Sequence, residues 1–197
     1  MNFIKLVLAS ASPRRKTLLK QIGLSFTVHP STIPEPPYTG SNPSKYAQNL
    51  ASLKAAEVAI QFPDAMVIGA DTIVVVDDKV LGKPRDGQTA TDMLNMLSGR
   101  AHQVITGYSI QCKNLNIMEN QHVMTVVNFR PLSPDEIGHY IATGNPFDKA
   151  GAYGIQDYSG IFVDRIEGCF YNVVGLPLSD FSSKLSDTLS QHKLHID

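Results

Sequence analysis

The chain of 197 residues is long enough for one α/β domain, or for two small lobes around a cleft. Its 17 basic and 18 acidic side chains nearly cancel, which argues against a large binding surface for duplex nucleic acid. No apolar stretch is long enough to cross a membrane and no signal peptide is recognisable, so we expect a soluble cytoplasmic protein without membrane partners.

The first segment predicts a buried strand, Ile4 to Ala9, followed by a helix that begins at Ser12 and ends at Gly23. Free N–H groups at a helix start bind phosphate, and the guanidinium groups of Arg14 and Arg15 add bidentate donors. An ordinary capped helix with exposed arginines is the alternative. Because paired arginines oppose the helix dipole at this end, we favour an anion site.

A short strand, Ser25 to His29, precedes a proline-rich loop over residues 31–43. Glu35 is the only acidic residue of this loop, and taken alone it indicates a solvated carboxylate. Helical spacing follows from Ser44 to Gln61, and Lys54 on that helix likewise indicates a solvated side chain. The residues expected on one side of the helix are Tyr46, Leu50 and Leu53.

The stretch from Met66 to Pro84 predicts two buried strands separated by a break, then a polar turn and a short returning strand. Asp71 falls in that break, where the ends of strands commonly present active-site groups, and Lys83 supplies a cation near the end of the hairpin. A turn capped by Asp71, with Lys83 solvated, is equally compatible with this stretch.

The remaining helices and strands are predicted from helix-capping residues and from the alternation of polar and apolar side chains. Small residues from Asn145 to Gln156 allow either a close backbone approach to a ligand or a tight surface turn, and packing is the better interpretation of His102. Cys112 and Cys169 form no CxxC pair, which indicates buried small residues. We predict a helix over 86–98, a hairpin of 101–113 and 118–130, a helix over 133–143, a strand over 161–166 and a final helix to about residue 189.

Several phosphate donors combined with few acids suggest a polyphosphate substrate, with the acids holding a divalent metal and activating water. Three common nucleotide or nucleophile motifs are absent. Gly82-Lys83-Pro84 lacks the Ser or Thr and the glycine spacing of a Walker A loop, and neither GxSxG nor GxGxxG occurs.

Six segments together resemble the Maf family of nucleoside triphosphate pyrophosphatases over almost the whole chain. Each segment alone is weakly specific, but six in order at family-like spacing are highly specific. The segments are Ser10–Arg15 (SASPRR), Gly69–Thr72 (GADT), Gly82–Pro84 (GKP), Ser98–Arg100 with His102 (SGRxH), Asp148–Gln156 (DKAGAYGIQ) and Asn172–Leu178 (NVVGLPL).

The resemblance implies one domain over residues 1–197. Its fold would be α/β, with an elongated mixed central sheet flanked by helices and two lobes around a cleft, similar to inosine-triphosphate pyrophosphatases. The implied reaction is hydrolysis of a nucleoside triphosphate to the monophosphate and pyrophosphate, which removes non-canonical or excess nucleotides. Relatives are often dimers, which allows a homodimer here.

The resemblance also assigns residues. Asp71 would activate water, and Glu35 would help Asp71 hold magnesium or manganese. Ser10, Arg15, Lys54 and Lys83 would hold the triphosphate. Arg14, Thr72 and Gln156 match the dTTP/UTP type of the family at the positions that sort substrates.

A second hypothesis is a non-catalytic regulator of cell division that binds nucleotide or nucleic acid. A nucleic-acid binder should show a basic stripe with aromatic residues. The only paired basic motif is Arg14-Arg15 and tryptophan is absent, so we favour the enzyme.

Overall fold

The computed structural model describes residues 2–40 and 42–197; Ser41, inside the predicted loop, lies outside them. The strands are β1 (Asn2–Ile4), β2 (Leu6–Leu8), β3 (Thr27–Val28), β4 (Met66–Val76), β5 (Lys79–Leu81), β6 (Ala101–Cys112), β7 (Ile117–Phe129), β8 (Val163–Glu167) and β9 (Leu194–Ile196). The α-helices are α1 (Pro13–Gln21), α2 (Pro43–Gln61), α3 (Gly87–Leu97), α4 (Pro134–Ala142), α5 (Phe170–Val174) and α6 (Leu178–Gln191).

The predicted mixed α/β fold is confirmed. Within the described residues, a seven-stranded sheet has the order β3-β2-β4-β6-β7-β8 with β5 paired to β4, and β1 and β9 form a separate pair. None of the helices in the described ranges is both long and apolar enough to span a bilayer. The chain divides into two compact units. The first comprises Met1–Asp71, Thr106–Val123 and Gly175–Asp197, and the second comprises Thr72–Ile105 and Met124–Val174.

In the first unit, β2 is parallel to both β3 and β4, with Leu6 opposite Met66 and Leu8 opposite Ile68. The single strand predicted from Ile4 to Ala9 is wrong in detail. Exposed Lys5 interrupts it because the chain changes partners there: β1 pairs with β9, whereas β2 pairs with β4.

Helix α2 approaches the sheet closely through three alanines, and Val58 of the same helix packs in a cluster with Val7 and Val67. Ala47, Ala51 and Ala55 recur every fourth residue and are fully buried, whereas Leu53, predicted on the inner side, is 44% exposed. Gly69 on β4 leaves no room for a Cβ against Ala51 and Ala55. Gly107 on β6 likewise lies against the backbone of Ala47, so the helix backbone rests directly on two strands.

Strand β4 corrects a second expectation, because it runs from Met66 to Val76 without the predicted break. Thr72 and Ile73 are β-branched and favour the extended backbone. Gly69 does not break the strand, and it is the point where α2 approaches closely. Asp71 therefore lies within a strand rather than at the end of one.

In the second unit, local sequence signals predicted the elements well. Asp77 and Asp78 have φ of 48° and 59° and close the β4–β5 hairpin. Asp86 caps α3, and Ser133 with Glu136 forms the predicted capping box of α4. Buried His102 shares a 2.7 Å hydrogen bond with the Tyr153 hydroxyl, and burial lowers its pKa to about 4. The packing interpretation of His102 is confirmed.

Replacing Gly69 should test the close approach of α2. In Gly69→Ala the new Cβ would lie 2.8 Å from the Ala55 nitrogen, so we expect a loss of about 1–3 kcal/mol or more in the free energy of unfolding. Gly138→Ala is the matched control, since nothing lies within 4 Å of its Cβ and alanine favours the helix by up to about 1 kcal/mol. Urea unfolding measures both; equal stability of Gly69→Ala and the unmodified chain would contradict the packing.

Candidate active site

The site lies where the parallel strands β2 and β4 end their pairing. The pairing closes with Leu8 opposite Ile68 and an Ala9 N–H that donates to the Ile68 carbonyl at 2.8 Å. The chain then turns away through Ser10, while β4 continues three residues to Asp71. Ligands of α/β sheets bind at this carboxyl edge. Both Ser10 and Asp71 are buried there, at 8% exposure each.

The start of α1 follows the predicted capping. Ser12 accepts from the Arg15 N–H at 3.5 Å, and Pro13 occupies the first turn. The Arg15 guanidinium donates from Nη1 to Ser10 Oγ at 3.0 Å and from Nε to the Gly175 carbonyl at 3.0 Å. These bonds fix the orientation of the guanidinium beside Ser10. Arg14, one residue earlier, is half-buried.

Lys54 joins the two candidate carboxylates. Its Nζ lies 2.5 Å from Asp71 Oδ1 and 2.6 Å from Glu35 Oε1. The Lys54 and Asp71 side chains are only 14% and 11% exposed, whereas that of Glu35 is 54% exposed. The expectation of a solvated lysine is therefore wrong, whereas the loop glutamate is exposed as expected but is paired with Lys54.

Burial and the neighbouring positive charges shift the pKa of Asp71 in opposite directions. Burial raises the pKa of this carboxyl above its ordinary value, and the nearby Lys54 and Arg15 only partly oppose that effect. The result is a carboxylate with a raised pKa that still touches an ammonium group. A base with its pKa raised toward neutrality is better suited to take a proton from water.

The same two carboxylates fit a divalent cation. Oxygens of Glu35 and Asp71 converge on one ammonium nitrogen, so they can also converge on one metal ion. Magnesium takes one or two protein carboxylates and completes its shell with phosphate and water oxygens. Within residues 2–40 and 42–197, no group of three or more His, Cys, Asp and Glu side chains is placed to hold a metal. A divalent cation held by these two carboxylates would take its other ligands from phosphate or water oxygens.

Three further candidates belong to the second unit: Thr72 is half-buried, and Lys83 and Gln156 are exposed. The Gly151 N–H donates to the Gly82 carbonyl at 3.0 Å, which ties the residue before Lys83 to the small-residue segment. That segment is compact. A Cβ on Gly154 would lie 2.9 Å from Gln156 Nε2, so the Gln156 amide lies close to this glycine.

Sequence reasoning gave no role to three residues around these candidates. Buried Lys149 holds the segment of Gln156 through Asp148 at 2.5 Å and Asp157 at 3.2 Å. Glu57 and Tyr46 on α2 bond to the loop that carries Glu35. Of these three residues, only Glu57 carried a signal in the sequence: it follows Lys54 by three residues and so lies on the same helix face.

Comparison with known proteins adds a consistent set of relatives. Residues 5–188 match the family described as Maf-like protein. Proteins named dTTP/UTP pyrophosphatase from Moorella thermoacetica and Symbiobacterium thermophilum are 51% and 48% identical over 174 residues, covering 88% of this chain and 90% and 89% of theirs. One of the same name from Desulforamulus reducens is 44% identical over 97% of this chain and 98% of its own.

The raised pKa of Asp71 makes a prediction about stability. A carboxyl whose folded pKa exceeds its unfolded value destabilises the fold once it is ionised, so Asp71→Asn should melt at a higher temperature at neutral pH. The difference should shrink below the ordinary aspartate pKa of about 3.9, where both states are protonated. Thermal unfolding across pH measures this, with exposed Asp92→Asn as control. A lower melting temperature for Asp71→Asn would show that the Lys54 contact outweighs burial.

Proposed function

Because the chain belongs to the Maf family, we propose that it hydrolyses nucleoside triphosphates, dTTP and UTP foremost, to the monophosphate and pyrophosphate. It is an enzyme of nucleotide metabolism. The observation that carries the assignment of the site is the Asp71–Lys54–Glu35 cluster, in which one ammonium lies against a buried carboxylate and a loop carboxylate.

Asp71 acts as the proton acceptor. A water oxygen attacks the α-phosphorus while Asp71 takes the water proton, the bond from this phosphorus to its bridging oxygen breaks, and pyrophosphate leaves with the bonding electrons. In-line attack requires water, phosphorus and leaving group to be aligned. Burial supports the role, because it raises the pKa of Asp71 toward that of an effective base.

Four residues hold the triphosphate: Ser10, Arg15, Lys54 and Lys83. Arg15 is pre-oriented by its bonds to Ser10 and Gly175, so little side-chain freedom is lost when it binds an oxyanion. Lys54 can exchange a carboxylate contact for a phosphate contact because its ammonium has several donors. These cations stabilise negative charge as it develops on the leaving pyrophosphate.

Glu35 and Asp71 would hold magnesium or manganese together with phosphate oxygens. When bound, such a cation neutralises phosphate charge and lowers the pKa of coordinated water. Support comes from the convergence of both carboxylates on one point, at Lys54 Nζ.

Base selection is assigned to Arg14, Thr72 and Gln156. The Gln156 amide offers both a donor and an acceptor, which suits the edge of a pyrimidine. A base lacking the matching groups would leave this amide unpaired. A triphosphate substrate also favours the cytoplasm as its location, and a homodimer stays a prediction from the family.

A substrate panel tests the function. Incubation with dTTP, UTP, CTP, ATP and 7-methyl-GTP plus magnesium or manganese should release monophosphate and pyrophosphate most rapidly from dTTP and UTP. Asp71→Asn should lower kcat by about 10²–10⁴-fold while nucleotide binding is largely kept, because a general base acts in the transition state. Asp92→Asn should behave as wild type. Binding without turnover by the wild-type chain would instead support the non-catalytic regulator.

Replacing Gln156 tests base selection separately. Gln156→Glu keeps the shape but replaces a donor by an acceptor, so the ratio of kcat/KM for UTP over CTP should change by about tenfold, the equivalent of one hydrogen bond of about 1.4 kcal/mol. Gln191→Glu at the exposed end of α6 is the matched control. An unchanged ratio, even with a lower rate, would remove Gln156 from this role.

A further inference from the structure

Glu35 has little packing to hold it in place. It lies in the connection between β3 and α2, in which the described residues contain no strand or α-helix, and its side chain is 54% exposed. Its Oε1 nevertheless lies 2.6 Å from Lys54 Nζ. A connection of this length without secondary structure is usually either disordered or functional. Something must therefore order the loop for Glu35 to meet Lys54.

Glu57 binds the loop before Glu35. Its Oε2 accepts from the Thr32 N–H at 3.0 Å and from the Ser31 hydroxyl, and its Oε1 accepts from Thr32 Oγ1 at 2.9 Å. The Ile33 N–H then donates to Ser31 Oγ at 3.4 Å, which continues the network along the loop. Bonds from Ser31 and then Thr32 lower the pKa of Glu57, so it accepts them as a carboxylate.

Tyr46 binds the loop after Glu35. Its hydroxyl donates to the Pro36 carbonyl at 2.9 Å, and its ring lies against Tyr38 with centroids 5.2 Å apart. Between the two attachments the chain reads Pro34-Glu35-Pro36. Proline fixes its own φ and restricts the residue before it, so this stretch has few conformations available.

Both attachments come from the helix that carries Lys54. Glu57 follows Lys54 by three residues on the same face, and Tyr46 precedes it by about two turns. The helix is itself fixed on the sheet by the close contact at Gly69. Lys54 and the two loop attachments therefore share one rigid support, which links the position of Glu35 to that of Asp71.

We infer that Glu57 and Tyr46 are positioning residues: they hold loop segment 31–36 on α2 from both sides, so that Glu35 is held where it can bind the metal of a metal–triphosphate complex. This inference rests on the proposed function, which makes Glu35 a metal ligand. Neither positioning residue touches the substrate; both act through Glu35. Residues that orient metal ligands typically change metal affinity or activity by about 10–100-fold when mutated.

Glu57→Gln is the principal test, because the amide nitrogen cannot accept from Ser31 or Thr32. We expect the manganese concentration for half-maximal UTP hydrolysis to rise by about tenfold, with kcat at saturating manganese nearly unchanged. Tyr46→Phe should shift the same quantity in the same direction. Glu119→Gln is the matched control, since Glu119 pairs with Lys184 at 3.5 Å.

A second measurement does not depend on turnover. Binding of manganese in the presence of α,β-methylene-UTP, followed by electron paramagnetic resonance, should weaken by a similar factor in Glu57→Gln and Tyr46→Phe. In a Glu35→Gln background, Glu57→Gln should add nothing, because the loop no longer delivers a ligand. Amide hydrogen exchange of a peptide spanning residues 30–36 should quicken in Glu57→Gln and stay unchanged in Glu119→Gln.

The outcomes distinguish a failure of the positioning role from a failure of the proposed function. Unchanged manganese dependence and binding in both variants would overturn the positioning role, even if the loop exchanges faster or the melting temperature falls. Effects of Glu35→Gln and Glu57→Gln that simply multiply would overturn it as well, since they would indicate independent action. A wild-type chain that binds manganese with the analogue but hydrolyses no triphosphate would overturn the proposed function alone.

Discussion

The site depends on how closely α2 rests on the sheet. Ala51 and Ala55 lie against Gly69, and Ala47 lies against Gly107, so the helix axis is brought nearer to the strands than large side chains would allow. Asp71 follows Gly69 by two residues on β4, and Lys54 lies between Ala51 and Ala55 along α2. A wider separation would move the Lys54 ammonium away from Asp71, which it contacts at 2.5 Å. Small residues thus set a distance between two charges.

That distance leaves Asp71 under two opposing influences. Burial favours the protonated form, whereas Lys54 and Arg15 favour the carboxylate, and burial is the larger effect. A fully solvated aspartate would be a weaker base, and an aspartate saturated with cations would be weaker still. The same arrangement disfavours folding at neutral pH, as expected if Asp71 has the proposed catalytic role, because catalytic groups often reduce stability.

Much of the fold could be predicted because its signals are local. Ser12, Asp86 and Ser133 each cap a helix through atoms within three residues, and Asp77-Asp78 close a two-residue turn. The misassignments had tertiary causes. Gly69 was interpreted as a break because its partner in α2 is distant in sequence, and Lys5 divides a strand because its flanks pair with different strands. Strand β9 was not predicted, because three residues are too few to show the alternation of polar and apolar side chains that indicates a strand.

The candidate residues could be named from the family resemblance, but the contacts of Lys54 with both carboxylates could not. Glu35 and Lys54, each taken alone, indicate solvated side chains, and the structure instead pairs Lys54 with both Glu35 and Asp71. Two carboxylates and the cations Lys54 and Arg15 balance in charge before any substrate binds. A lysine suits this position because its compact ammonium has three donors that can be redistributed, whereas the planar arginine fork would hold one carboxylate in a fixed geometry. If Lys54 exchanged a carboxylate for a phosphate oxygen, the freed carboxylate oxygens of Glu35 and Asp71 would be available to hold a divalent cation.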